Sequence, residues 1–204
     1  MHRIKAIAVG IKDFFTIILK LFISTEESWK MIKEYSFDWK EVFFYFAFPL
    51  IVISSLGRVL AVPEESVFKA ITPNLLLISF VFSTSISIPL GAYMVKLLAP
   101  RYLSVADFNI VFTHIAFAYT PLFISNIIAA IHPSLAVVSL IGIFYTVFVF
   151  WKGMEIMLET PIHRRMGFTI ICFLILFASA IIISAFTNYA LFYFTDNMEL
   201  IMQQ

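Results

Sequence analysis

Apolar residues gather in five long runs, at residues 42–62, 74–98, 108–131, 135–158 and 166–194, and the stretches between them hold most of the charge and proline. Each run reaches the ~20 helical residues that a hydrocarbon core requires, so the pattern predicts five transmembrane helices. Ahead of them the texture changes. Ile4, Ile7, Ala8, Ile11, Phe14, Phe15, Ile18, Leu19 and Phe22 recur at helical spacing, with Lys5, Lys12, Thr16 and Lys20 on the opposite side. That is the mark of an amphipathic helix lying in the headgroup plane, the alternative being that it packs on the bundle. Ser24 and Glu27 have the spacing of a capping box and start a second short helix over 25–35. Trp29, Phe37 and Trp39 are expected to anchor this segment at the interface. The fold class is therefore an all-α integral membrane protein, five transmembrane helices preceded by amphipathic interfacial helices. Residues 1–40 form the interfacial part, 41–195 the membrane domain and 196–204 a short tail.

Proline sharpens the reading. Pro63, Pro73, Pro100, Pro133 and Pro161 fall in the connections, whereas Pro49, Pro89 and Pro121 fall inside the first three runs. An internal proline removes one backbone hydrogen bond and bends its helix, so the first three spans are expected to kink. Composition fits the pattern: 61% of the 204 residues are hydrophobic and only 13% charged, a balance suited to lipid and not to water. Net charge is +1, which gives no reason to expect nucleic acid as a partner. The single cysteine, Cys172, lies in an apolar run, so no disulfide framework exists and a packing role is expected. No secretory signal is expected at the amino terminus, where Lys12 and Asp13 break the apolar stretch.

Orientation comes from the distribution of lysine and arginine. Twelve of the fourteen alternate onto one side: seven before the first run, then Lys96 and Arg101, then Lys152, Arg164 and Arg165. Only Arg58 and Lys69 face the other side. The positive-inside rule then places the amino terminus in the cytoplasm and the carboxyl terminus outside. A weak echo between Phe48-Pro-Leu-Ile-Val-Ile-Ser54 and Thr120-Pro-Leu-Phe-Ile-Ser125 is compatible with a parallel repeat of two spans or with chance.

The residues available for chemistry are few. His114, Ser125 and Asp107 lack any nucleophile-elbow context, the four histidines are dispersed, and the six glycines are isolated. Enzyme, metal and cofactor readings find no support in these patterns. Polar groups within the spans are more informative, because lipid penalises them. His114, Tyr119, Thr120, Pro121 and Asn126 form an intramembrane polar and kink site in the third run, with Thr120 expected to satisfy the backbone freed by Pro121 and His114 expected near the interface. Lys152, Glu155 and Glu159, three and four apart, are expected to form an ion pair on one helical face. Arg101, Arg164 and Arg165, joined by Lys152, are expected to converge into a basic site for anionic lipid headgroups.

With these residues in place, the chain resembles the Yip1 domain family, above all its compact prokaryotic members. The resemblance rests on Glu27-Ser-Trp29 with Lys33, Phe48-Pro-Leu50, Leu97-Leu-Ala-Pro100, Ala118-Tyr-Thr-Pro121 and Leu158-Glu-Thr-Pro161, in that order across residues 24–190. It implies a five-span protein with a cytosolic amino terminus, in a bacterial inner membrane. Eukaryotic members are associated with Rab GTPases and vesicle traffic, a role not expected here, where residues 1–40 offer no counterpart of their long cytosolic amino-terminal region. The function expected is a non-enzymatic scaffold or adaptor acting through the bilayer, anionic headgroups and a further membrane or cytosolic protein. The alternative is a small-molecule transporter or lipid translocase, which requires Ser83, Thr84, Ser85 and Ser87 of the second span to converge with Tyr119 and Asn126 around a cavity.

Overall fold

The computed structural model describes residues 11–60 and 73–202 of the chain. Residues 4–10 of the expected amphipathic helix, with Lys5, and Pro63 and Lys69 of the first connection lie outside the described residues. Five helices are long and apolar enough to cross a membrane: Trp39–Leu60, Pro73–Tyr102, Phe108–Ala129, Ala136–Ile156 and Ile162–Leu191, here called the first to fifth spans. The last continues as helix to Met202, beyond the expected end at residue 194. No strand occurs among the described residues. Two shorter helices, α1 (Ile11–Ile23) and α2 (Thr25–Tyr35), precede them.

The spans are held together by close approach at small residues. In lipid the hydrophobic effect gives no drive for one helix to seek another, so packing must supply it. A Cβ added to Gly57 of the first span would lie 2.8 Å from the carbonyl oxygen of Asn126 in the third. Glycine is needed there because the obstacle is backbone, which cannot rotate away. Cys172 is buried on the fifth span and bonded to nothing, as a packing residue should be.

Two of the three internal prolines deform their helices, each in its own way. Residues Val42–Ala47 adopt a π-helix, and the Phe48 amide bonds to the Phe43 carbonyl five residues back. The widened turn lies just ahead of Pro49, whose ring would otherwise press on the carbonyl four residues earlier. In the third span the helix breaks at Tyr119 and restarts at Thr120, immediately before Pro121. Thr120 does not repair that break: its hydroxyl is buried without a partner. Continuity comes from the backbone instead, through Tyr119 N–H to Ile115 C=O and Phe123 N–H to Tyr119 C=O, both 3.1 Å. The second span passes Pro89 as a continuous α-helix from Pro73 to Leu98.

One end of the bundle carries most of the charge and is closed by its loops. Val105 N–H donates to Leu158 C=O (2.8 Å), Ser104 and Thr160 hydroxyls meet at 2.9 Å, and the Arg164 guanidinium donates to the Arg101 carbonyl (2.6 Å). Tyr102 stacks on Phe168 with centroids 4.6 Å apart. The connections after the second and fourth spans thus form one charged rim, and the expected neighbourhood of Arg101 and Arg164 exists.

Against this rim sits a helical hairpin made of α1 and α2. Phe14, Ile17 and Leu21 of α1 are buried, as are Ser28, Trp29 and Ile32 of α2. Phe14 stacks on Phe37, Phe46 and Phe117 at 5.5–6.3 Å, and Phe46 and Phe117 stack at 4.1 Å. Each such pair adds about 0.5–1.5 kcal/mol beyond burial. The Tyr145 hydroxyl donates to the carbonyls of Leu21 and Phe22, each at 3.2 Å, and ties the hairpin turn to the fourth span. Tyr145 lies about 16 Å below the rim end of that helix at 1.5 Å per residue, so the hairpin reaches well down from the rim.

This corrects two expectations. Trp29 and Phe37 are buried inside the assembly and do not face an interface; Trp39 alone stays half-exposed at the rim, its amide held by the Asn109 side chain at 3.1 Å. The α1 helix packs on the bundle through one face and leaves Phe15, Leu19, Phe22 and Ile23 exposed on the other. Both faces are apolar, so the amphipathic pattern concealed the docking face. The capping box at Ser24 also fails, since that side chain caps nothing and Thr25 donates to the Leu21 carbonyl at 2.9 Å. A true capping box opens the first span: Asp38 accepts from Lys40 N–H (2.8 Å) and its own N–H donates to Glu41 (3.3 Å).

Candidate functional site

The third span divides into two environments at its break. Toward the rim it is packed solid. His114 is fully buried between Trp29 (centroids 5.0 Å) and Phe150 (4.4 Å), and neither ring nitrogen has a hydrogen-bond partner. Its level, about 9 Å from the start of the helix, agrees with expectation, yet the hairpin covers it and no interface reaches it. The covering group is Trp29, whose indole N–H donates to the Val149 carbonyl at 3.1 Å. Gly153 makes the room, for a Cβ there would lie 2.5 Å from Trp29 and 2.6 Å from His114. The imidazole is thus held by ring contacts alone.

Beyond the break the interior opens. A partly enclosed cavity of about 140 Å³ lies between the first, second, third and fifth spans. Ser54, Ser55 and Arg58 come from the first span, Thr84 and Ser87 from the second, Tyr119 and Asn126 from the third, while Leu176 and Ala180 of the fifth close the side. Helical spacing explains the set. Residues 51, 54, 55 and 58 share one face of the first span, as do 119, 122, 123 and 126 of the third. Asn126 donates to the Ser54 hydroxyl at 3.3 Å across the two. Ser87 donates to Thr84 C=O at 3.3 Å. Arg58 lies with its guanidinium carbon 4.2 Å from the centroid of the Phe80 ring.

The second span therefore contributes half of what the transport alternative requires. Thr84 and Ser87 converge with Tyr119 and Asn126, whereas Ser83 donates to the Ser79 carbonyl (2.6 Å) and the hydroxyl oxygen of half-buried Ser85 is covered without a partner. Farther along, Ser79 bonds to Asn188 and joins the second span to the fifth. Arg58 and Ser54 were not among the expected site residues. A signal was present: an arginine within a helical run that carries serines three and four residues before it, on the same face.

At the rim the expected ion pair among Lys152, Glu155 and Glu159 does not form. Glu155 pairs with Arg165 (2.8 Å), Glu159 pairs with Lys33 of α2 (2.7 Å), and Lys152 lies over the Trp151 ring at 5.6 Å. The reason is local. The fourth span ends at Ile156, Glu159 adopts left-handed φ (53°) and Thr160 N–H turns back to Met154 C=O at 3.1 Å, so the spacing of four is never realised on a helix. The basic site is altered as well. Arg164 is bound to the Arg101 backbone, but Arg165 is nearly buried, spent on Glu155 and stacked beside Trp151 at 5.5 Å. Arg101 and Arg164 stay exposed and Lys152 half-exposed. No group of His, Cys, Asp or Glu able to hold a metal occurs among the described residues.

Compared with known proteins, the chain matches no family model, no curated protein and no solved structure.

Proposed function

We propose that this is a non-enzymatic integral membrane protein of the Yip1 type, acting as a scaffold or adaptor through protein and lipid contacts made by its amino-terminal hairpin. The observation that carries the reading is the doubled character of that hairpin. Its inner face is locked to the third and fourth spans by Trp29, Phe14 and Tyr145, while its outer face presents exposed Phe15, Leu19, Phe22 and Ile23 beside the charged face of α2, Glu26, Glu27 and Lys30. A fixed helix pair with an apolar edge and a charged edge, held beside the spans on one side only, suits lateral contact at one leaflet. The positive-inside rule assigns that leaflet to the cytoplasm, and with it an inside amino terminus and an outside carboxyl terminus in a bacterial inner membrane.

The test is site-specific photo-crosslinking in native membranes, with the probe at Phe15 or Ile23 and, as a control, at Phe144 on the lipid-facing side of the fourth span. The hairpin positions should give discrete protein adducts and Phe144 only lipid. Lipid alone at all three positions would remove the adaptor role. A second reading, a transporter or lipid translocase, is supported by one specific observation: the cavity shared by four spans, whose mostly apolar lining carries Arg58 and several hydroxyls.

A further inference from the structure

The cavity beyond the break in the third span has a chemical bias that the hairpin reading does not use. Among the described residues Arg58 is the sole charged group in its lining, and none of them contributes a carboxylate. The remaining polar groups are neutral hydroxyls and one amide, several of which have a hydrogen left to donate. Ser54 accepts from Asn126 and so keeps its own hydroxyl hydrogen, and the hydroxyls of Ser55, Thr84 and Tyr119 have no protein partner among the described residues. A cation would be repelled by the guanidinium. The hydroxyls can accept as well as donate, so it is the one fixed positive charge that favours an anion over a neutral polyol.

We infer that this cavity binds the oxyanion group, phosphate or carboxylate, of a small anion or an anionic amphiphile that enters from the end of the bundle opposite the charged rim, with Arg58 as its counter-ion.

Three physical arguments converge. Arg58 is an exposed residue two positions from the end of the first span, about 28 Å from Trp39 at 1.5 Å per residue, so it stands near the hydrocarbon boundary, where partial burial of the guanidinium costs less than at the midplane but still favours a partner. The Phe80 ring under its guanidinium offsets only about 0.5–2 kcal/mol of this. An oxyanion, which the planar fork of arginine binds through two parallel hydrogen bonds, offsets more. Size is compatible: about 140 Å³ has room for several waters and so for a phosphate or carboxylate head. The way toward the rim is closed by Phe46 and Phe117, stacked at 4.1 Å. Entry is therefore from the far side or laterally between spans.

The experiment uses the full chain, purified in detergent and in phosphatidylcholine nanodiscs, and two probes: inorganic phosphate and dioleoyl phosphatidic acid. Binding is read as a rise in unfolding temperature for both and as lipid adducts in native mass spectrometry for the second. Stabilisation by phosphate indicates a free anion as ligand, and stabilisation by phosphatidic acid alone indicates a lipid headgroup; either outcome supports the site. Arg58→Gln should weaken binding at least about tenfold, the loss expected for a hydrogen bond to a charged group. Arg58→Lys, a point charge without the fork, should fall between. Tyr119→Phe should weaken it a few-fold. Should Arg58→Gln not fold, Ser55→Val tests the same site by filling the cavity with the charge left in place, and it should abolish binding. The inference is overturned if neither probe binds, if Ser55→Val binds as well as the parent, or if Arg101→Gln and Arg164→Gln at the rim abolish binding while Arg58→Gln does not. None of these outcomes bears on the crosslinking test of the hairpin.

Discussion

Trp29→Ala should release the hairpin from the bundle while leaving the five spans inserted. Trp29 is fully buried, donates to Val149 C=O at 3.1 Å, stacks on His114 at 5.0 Å and fills the notch left by Gly153. Truncating a core tryptophan in a soluble protein costs about 3–5 kcal/mol. Here part of the transfer term vanishes, because a detached hairpin finds lipid and not water, so the low end, about 3 kcal/mol, is the better figure. The indole hydrogen bond makes up ~1 kcal/mol of it, which is the loss expected for Trp29→Phe. Amide hydrogen exchange of Thr25–Tyr35 in nanodiscs reads this directly. At about 1.4 kcal/mol per decade, exchange should quicken roughly a hundredfold in Trp29→Ala and several-fold in Trp29→Phe, with the spans unchanged. A double-mutant cycle sharpens the test. Gly153→Ala places a methyl 2.5 Å from the indole and should by itself loosen the hairpin, yet in a Trp29→Ala background only the contact with the His114 ring at 2.6 Å remains, and that ring can move into the vacated space, so the methyl should cost less. Unchanged exchange of α2 in Trp29→Ala, or strict additivity of the pair, would refute the latch.

Other consequences are as direct. Glu155→Gln leaves the Arg165 guanidinium, 7% exposed, without its anion; because Glu155 itself is mostly exposed, the loss should be about 1–3 kcal/mol, between surface and buried pairs, measured as thermal unfolding in detergent. Leu103 holds left-handed φ (56°) on an exposed turn, so Leu103→Gly should be neutral to stabilising by up to about 1 kcal/mol, the strain relieved minus the flexibility of glycine. Lys30 donates to Glu26 at 2.9 Å, and that hydrogen bond and charge hold the Glu26 carboxyl below its ordinary range. Its small contribution is in force above the ordinary carboxylate pKa and is lost as pH falls through the depressed value; Lys30→Gln should move the Glu26 carbon titration upward in NMR. Reporter fusions after Lys40, Arg101 and Arg165 should read cytoplasmic and a fusion after Gln204 external, and a cytoplasmic signal at Gln204 would overturn the orientation.

Local pattern determined the five spans, because lipid demands that each crossing satisfy its own backbone and that ~20 apolar residues do so as helix. That requirement is met residue by residue, so it is written plainly in runs 42–62 to 166–194. It also foretold distortion at Pro49 and Pro121, though not its form, which depends on whether a turn can widen, as at Val42–Ala47, or must break, as at Tyr119. What α1 and α2 dock against was decided by tertiary structure alone. The apolar residues of a docking face and of a lipid face are the same types, so no periodicity tells Ile17 from Leu19, or marks Trp29 as core when it sits among Glu26, Glu27 and Lys30. Pairing of charges was decided in the same way: Glu155 and Glu159 follow a spacing that predicts each other and Lys152, but the end of the fourth helix at Ile156 and the approach of Arg165 and Lys33 supply better partners. The cavity came last. Its lining comes from four helices whose relative rotation is set by packing at Gly57 and along the fifth span, and only that rotation turns Arg58, Ser55, Thr84 and Tyr119 toward one another.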